Sequence, residues 1–255
     1  MTDINNHLLE TTNTIENIDL VNGSILLVDK PLRWTSFDAV NKLKYEIRRK
    51  FDVKKFKIGH AGTLDPLASG LLIVCVGKYT KLIPHIQLQA KEYIGTFTIG
   101  ATTPSYDLEK QPENFLPFHH ITKEDIDKAT VLQTGTIQQL PPVFSAVRID
   151  GKRAFDYARN EKEINLQPKE ISIYSFEITR IALPEIDFWI RCSKGTYIRS
   201  IARDFGTFLE CGAYLSALRR TKIGDFSVEQ AMDMTPFMNM EKKPNPKHKK
   251  RDFEI

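Results

Sequence analysis

Residues Gly59 to Gly70 read Gly-His-Ala-Gly-Thr-Leu-Asp-Pro-Leu-Ala-Ser-Gly, with three glycines and a proline around His60 and Asp65. That composition makes a shaped loop, the kind of segment on which functional groups concentrate. Pro66 biases Asp65 towards extended geometry, so its carboxylate need not be spent capping a helix. Taken alone, Asp65 reads more often as a turn residue than as a catalytic one. His60 alone reads more often as a packing or hydrogen-bonding histidine than as a general base.

A second segment runs from Cys192 to Ala202, Cys-Ser-Lys-Gly-Thr-Tyr-Ile-Arg-Ser-Ile-Ala. A strand ends, Gly195 turns the chain, and a helix starts near Tyr197. Arg199 then falls in the first turn of that helix, where the helix dipole disfavours a cation. A carboxylate or phosphate nearby would offset the cost; the plainer alternative is a surface arginine in a capping network. Tyr93, in Lys91-Glu92-Tyr93, is either a half-buried strand aromatic or a platform on which a base can stack. The segment Pro141 to Arg148, followed by Asp150-Gly151-Lys152-Arg153, combines an extended run with a turn signal and cations able to reach phosphates.

The elements that must position these groups follow from periodicity. A buried strand is predicted over Ser24–Val28. A helix capped at Thr35 or Ser36 is predicted to about Lys50, with Phe37, Val40, Leu43 and Ile47 as its apolar stripe. Gly59 to Gly70 is expected as a long loop, Leu71 to Val76 as a buried strand and Tyr93 to Ile99 as another. Gly100 to Pro117 is expected to be a mobile loop. Thr122 and Asp125 form a capping box at the start of a short helix. Ala154 to Arg159 is predicted helical. Ile171–Ile181 and Ile186–Cys192 alternate as antiparallel strands turning at Pro184. Ile198, Ile201, Phe205 and Leu209 give a helical stripe. Strands and helices do not follow βαβ order, so the class is α+β with a mixed or antiparallel sheet. Three segments are expected: a flexible lead-in over 1–22, a catalytic-size domain over 23–240, and a basic, disordered tail over 241–255.

The 255 residues carry a net charge of +4, with 41% hydrophobic and 27% charged residues, which excludes disordered, collagenous and membrane classes. No secretory signal is visible at the N-terminus. Between Lys30 and Lys57 ten basic residues face three acidic ones, and between Arg191 and Lys222 seven face two. Such clusters suit a polyanion partner, although a lysine-rich helix is more often a solvated face. Cys75, Cys192 and Cys211 lack metal-ligand spacing and read as reduced thiols of a cytoplasmic protein. No P-loop, GxGxxG opening a helix, GxSxG or HExxH occurs, so no cofactor and no metal are expected.

Together these segments resemble the TruB family of tRNA pseudouridine-55 synthases. The resemblance runs in order through Gly23–Pro31, Gly59–Gly70, Lys91–Tyr93, Pro141–Ala146, Cys192–Arg199 and Gly212–Arg220. It implies a mixed, largely antiparallel sheet flanked by helices, with an active-site cleft across it. It implies conversion of a uridine in the T-loop of tRNA to pseudouridine, without cofactor. The N-glycosidic bond breaks, the uracil rotates, and it reattaches through C5.

Asp65 matches the family's catalytic aspartate and would act as nucleophile. Whether it attacks C6 of the base or C1′ of the ribose, or assists a glycal route, stays open at this level. Arg199 matches the basic residue beside it, which would orient its oxygens. Tyr93 matches the aromatic that stacks on the flipped uracil. Tyr197 and Leu218 would line the pocket, His60 matches a histidine associated with the space the base vacates, and Lys30 matches a lysine near the floor. A buried structural role fits Lys30 and His60 equally.

Many bacterial relatives carry an Asp-rich, Thr-Asp-Thr-like loop where this chain reads Ala101 to Asp107, with Asp107 the candidate counterpart. Many also carry a C-terminal RNA-binding PUA domain, for which the residues after Met240 are too few; the basic tail is expected to substitute in part. The implied partner is the T-arm of tRNA, with no guide RNA, no membrane and a monomeric enzyme. Two alternatives remain at this level: a tRNA-binding or folding factor on the same scaffold, and the catalytic subunit of a guide-RNA particle. An intact Asp65, Tyr93 and Arg199 speaks against the first, and the missing PUA domain against the second.

Overall fold

The computed structural model describes residues 11–143, 148–149, 152–153 and 166–238. The predicted helix at Ala154–Arg159, the Asp150-Gly151 turn and the tail over 241–255 lie outside the described residues.

The strands are β1 (Thr11–Thr12), β2 (Ser24–Lys30), β3 (Ile58–His60), β4 (Ala68–Val76), β5 (Lys91–Ile99), β6 (Gly135–Gln139), β7 (Arg148–Ile149), β8 (Lys152–Arg153), β9 (Lys169–Ala182), β10 (Glu185–Cys192), β11 (Ala213–Ile223), β12 (Phe226–Ser227) and β13 (Met232–Asp233). The helices that matter here are α1 (Ser36–Phe51), α2 (Ile83–Leu88), α3 (Lys123–Leu132) and α4 (Ile198–Phe208). One sheet takes the order β1-β2-β4-β11-β5-β10-β9-β6, with β3 on β4, β12 on β11 and β13 on β2. Most neighbours are antiparallel; β4–β11, β1–β2 and β13–β2 are parallel. The α+β class with a mixed, largely antiparallel sheet is the one expected.

The sheet has two halves with different solvent exposure. β2 and β4 are covered on both faces. Leu26, Val28, Leu72 and Val74 pack with Val40, Leu43 and Ile47 of α1. Ile25, Leu27, Leu71 and Ile73 pack on the other side with Ile86 of α2. This double burial is why Leu71–Val76 is an unbroken apolar run. β5, β10 and β9 are covered on one face only and alternate accordingly. Phe97 of β5 stacks on Phe188 of β10 at 4.2 Å, with Phe176 of β9 edge-on at 6.2 Å. Ile201 and Phe205 of α4 and Ile126 of α3 close that core.

Local signals set the helix starts. Thr35 and Asp38 form a reciprocal capping box at α1, and Thr122 and Asp125 another at α3. Four expectations need correction. Phe37, placed in the α1 stripe by its spacing, is 68% exposed; Ala39 takes the inward position instead. The second half of the expected lead-in is packed: β1 pairs with β2, and Ile15 and Ile18 are buried against α1. The ends of the Gly59–Gly70 loop are strand, because His60 pairs with Val74 and β4 begins at Ala68. The Gly100–Pro117 loop is pinned rather than mobile. Ala101, Thr103, Ser105 and Asp107 are buried, Thr102 bridges Glu113, and Asp107 bridges Leu215.

Candidate active site

The turn from Ala61 to Leu67 connects β3 to β4 and carries Asp65. Its backbone is held at several points. Ser36, the first residue of α1, accepts from Leu64 N at 2.8 Å and donates to Leu64 O at 3.1 Å. Pro66 O accepts from Arg33 N at 2.7 Å, and Asp65 O accepts from Ala68 N at 3.1 Å. Arg220 of β11 braces the same turn from below. Its guanidinium donates to Leu71 O at 2.8 Å, Gly62 O at 3.1 Å and Thr63 O at 3.5 Å. Arg220 is 1% exposed. Among the described residues no carboxylate stands within ion-pair distance of it. β11 comes this close to β4 only because Gly70 has no side chain: at φ +101° a Cβ there would lie 2.3 Å from Arg220 O.

Arg199 reaches the turn from the other side. Tyr197 stands at the N-cap of α4 without a side-chain capping bond, and Gln139 of β6 holds its backbone in place. Its Oε1 accepts from Tyr197 N at 2.9 Å and its Nε2 donates to Tyr197 O at 3.1 Å. Ser200 donates to Leu140 O at 2.9 Å, fixing the same helical turn. Arg199 Nε then lies 2.9 Å from Asp65 Oδ2 and 3.7 Å from Asp107 Oδ2. The guanidinium is nearly sealed, with 6% side-chain exposure, whereas Asp65 keeps 40%. The buried member holds the pair in one geometry while the carboxylate still faces solvent. A cation in the first turn of a helix thus has the anionic neighbours that offset the dipole.

An open cleft of about 710 Å³ lies over this pair, lined by Asp65, Tyr93, Tyr197, Arg199, Leu218 and Arg220, with Lys91, Lys169 and Lys194 also on its walls. Tyr93 sits across from Arg220 in the β5–β11 register. Burial pushes its phenol pKa upward, with Arg220 opposing. Five of the seven residues singled out from sequence therefore share one cleft. Lys30 and His60 do not line it. Lys30 is fully buried and donates to Pro31 O at 2.9 Å and Trp34 O at 2.6 Å. Burial lowers its pKa to about 8, partly opposed by Asp65. Lys91, bonded to Gln87 O and Gln89 O, is lowered to about 8 by burial and then by Arg220. His60 has a buried Nδ1 without a hydrogen-bond partner among the described residues, and its pKa is lowered by burial and by Arg220.

Sequence reasoning missed Arg220, Gln139 and the burial of Asp107. Gln139 has no local signal, and Arg220 stands in an Arg-Arg pair on a polar strand that reads as surface. The three cysteines are free and buried. Among the described residues, no group of three or more His, Cys, Asp or Glu is arranged to hold a metal ion. Nor is any described helix long and apolar enough to cross a membrane.

Comparison with known proteins gives concordant matches. The model of the TruB family pseudouridylate synthase N-terminal domain matches residues 48–198, and that of the tRNA pseudouridylate synthase B C-terminal domain matches residues 199–249. The chain is 56% identical over 220 residues to tRNA pseudouridine synthase B of Flavobacterium johnsoniae, covering 86% of this chain and 96% of the relative. It is 51% identical over 215 residues to the protein of the same name from Phocaeicola vulgatus, covering 84% and 92%. Among solved structures, a chain of a Cbf5-Nop10-Gar1 complex superposes with a TM-score of 0.63 at 27% identity, covering 87% of this chain and 54% of that one. This chain therefore spans about half the length of that solved chain.

Proposed function

The chain belongs to the TruB family of pseudouridylate synthases, and from that premise we propose that it isomerises a uridine in the T-loop of tRNA, at position 55, with Asp65 as nucleophile. The observation that carries this reading is the contact between Asp65 Oδ2 and the sealed Arg199 guanidinium, 2.9 Å apart on the floor of the cleft. A carboxylate in that setting is oriented and solvent-facing, which a nucleophile needs and a pure binding module does not. Tyr93 and Leu218 form walls against which an extruded base can stack. Unstacking the uridine costs a few kcal/mol, which those walls and the polar groups around them offset. The reaction is self-balanced. The C1′–N1 bond breaks, C1′ bonds C5 of the rotated uracil, and the C5 proton leaves as N1 gains one.

The exposed Lys169 and Lys194 on the cleft walls suit phosphate contacts, which position RNA rather than specify it. Relatives named tRNA pseudouridine synthase B reach 56% identity, against 27% for the Cbf5 complex, which favours a stand-alone tRNA enzyme over a particle subunit. The deciding experiment uses purified wild type and Asp65→Asn on an unmodified tRNA transcript, with no other RNA or protein. The expected result is pseudouridine at the T-loop position with wild type. Asp65→Asn should still bind but lose at least about 10⁴-fold in rate, roughly 5.5 kcal/mol of barrier. Binding without product from wild type would overturn the reading in favour of a binding factor.

A further inference from the structure

Asp107 stands 3.7 Å from Arg199 although it sits in a connecting loop, and the loop's own hydrogen bonds do not explain how it stays on α4. Within the loop, Thr103 and Ser105 hydroxyls donate to Asp107 O at 2.8 and 3.1 Å, and Glu109 N donates to Asp107 Oδ1 at 3.0 Å. These bonds shape the turn. They do not fasten it to the helix.

Two arginines do. Arg199 and Arg203 are four residues apart on α4, so they share a face on successive turns. Arg199 donates to Ser105 O at 3.4 Å. Arg203 lies over the Tyr106 ring, 5.1 Å from its centroid, within cation–π range. Asp204 fixes Arg203 with a 2.7 Å contact, and β11 holds Tyr106 from behind through Leu215 N donating to Tyr106 O at 2.9 Å. Tyr106 has φ +62°, a left-handed backbone that an aromatic residue rarely adopts. Glycine would take that conformation without strain, so the ring must do something glycine cannot.

The geometry points to Tyr106 and Arg203 as a latch that presses the loop onto α4 and sets Asp107 against Arg199; both are positioning residues for the Asp65 site. This rests on the catalytic reading of Asp65 given above.

Tyr106→Gly separates the ring from the backbone, because it relieves the left-handed strain while removing the latch. The expected result is a thermal midpoint unchanged or raised, kcat lowered about 10- to 100-fold, and KM for tRNA within twofold of wild type. Tyr106→Phe keeps the ring and should restore kcat to within twofold. Arg203→Ala should match Tyr106→Gly, and the double variant should lose no more than either alone. A substrate-free readout runs beside this: the Arg199 Nε–H resonance should shift or broaden in Tyr106→Gly. An unmoved resonance overturns the latch, whatever the activity. So does a kcat within twofold of wild type in Tyr106→Gly, or strictly additive losses. Absence of product from wild type on tRNA would instead break the catalytic reading, leaving the resonance to decide the latch.

Discussion

Two buried arginines approach the Asp65 turn from opposite sides and do different work. Arg199, on α4, meets carboxylates: Asp65 at 2.9 Å and Asp107 at 3.7 Å. Arg220, on β11, meets three backbone carbonyls of the turn and of β4. In the first region positive charge is matched by negative charge, and one of the anions, Asp65, is open to solvent. In the second it is spread over dipoles, and its field is felt by the groups around it. Arg220 contributes to lowering the pKa of Lys30, Lys91 and His60. The same kind of side chain thus serves as an orienting partner for a solvent-facing carboxylate and as a brace for the segment that presents it.

The sharpest way to break this comparison is to alter Arg199 alone. Arg199→Lys keeps the charge but loses the planar fork. We expect kcat to fall about 10²- to 10³-fold, with stability changed by less than about 1 kcal/mol. A comparable loss in unfolding free energy would mean that Arg199 braces the Asp65 turn as Arg220 does.

Arg220→Met should behave in the opposite way. Three carbonyls lose their donor, that of Leu71 in a buried position and those of Gly62 and Thr63 in partly buried ones, at a cost of about 3 kcal/mol in urea unfolding. In the folded fraction kcat should fall no more than tenfold. A large kcat defect with unchanged stability would place Arg220 in the chemistry.

The smallest effect concerns the lysines in the field of Arg220. Burial holds Lys30 and Lys91 near 8 instead of 10.5. Between those values the unfolded chain binds more protons at these two lysines than the folded one, so their contribution to stability rises with pH across that window, while the buried Cys75 and Cys192 thiols, pushed up to about 12 by burial, pull the other way above about pH 9. Below about pH 8 both states are protonated and the gain is absent. Lys30→Met should make the slope of stability against pH less positive than in the wild type between pH 8 and pH 10.5, measured by urea unfolding at a series of pH values. An unaltered slope would show that Lys30 is not penalised by its burial.

The contrast between the arginines also marks where sequence reading stops. Arg199 is legible because a cation in the first turn of a helix is locally unfavourable and so demands an anion elsewhere. Arg220 is silent because β11, Ala213–Ile223, has no clean alternation. Register shifts between Leu215 and Ala217 and between Arg220 and Lys222 break its period. A strand at the middle of the sheet was therefore not predicted from its own residues. The burial of Asp107 is silent for another reason: loop residues carry no periodic signal, and it depends on β11 and α4 arriving beside it.

What the sequence determined by itself are the features set by near neighbours. The capping boxes at Thr35 and Thr122 are satisfied within one helical turn. The doubly buried β4 is written in an unbroken apolar run, and the α4 stripe in a 3.6-residue period. Asp65 is singled out by its glycine- and proline-rich surroundings and by a family motif. Only the tertiary structure decided which charges meet. The β4–β11 crossover brings Arg220 under the turn across 150-odd residues of chain, and Gln139 sets the start of α4 from a strand 58 residues away. Contacts of that span depend on sheet order and register, which no local window of sequence contains.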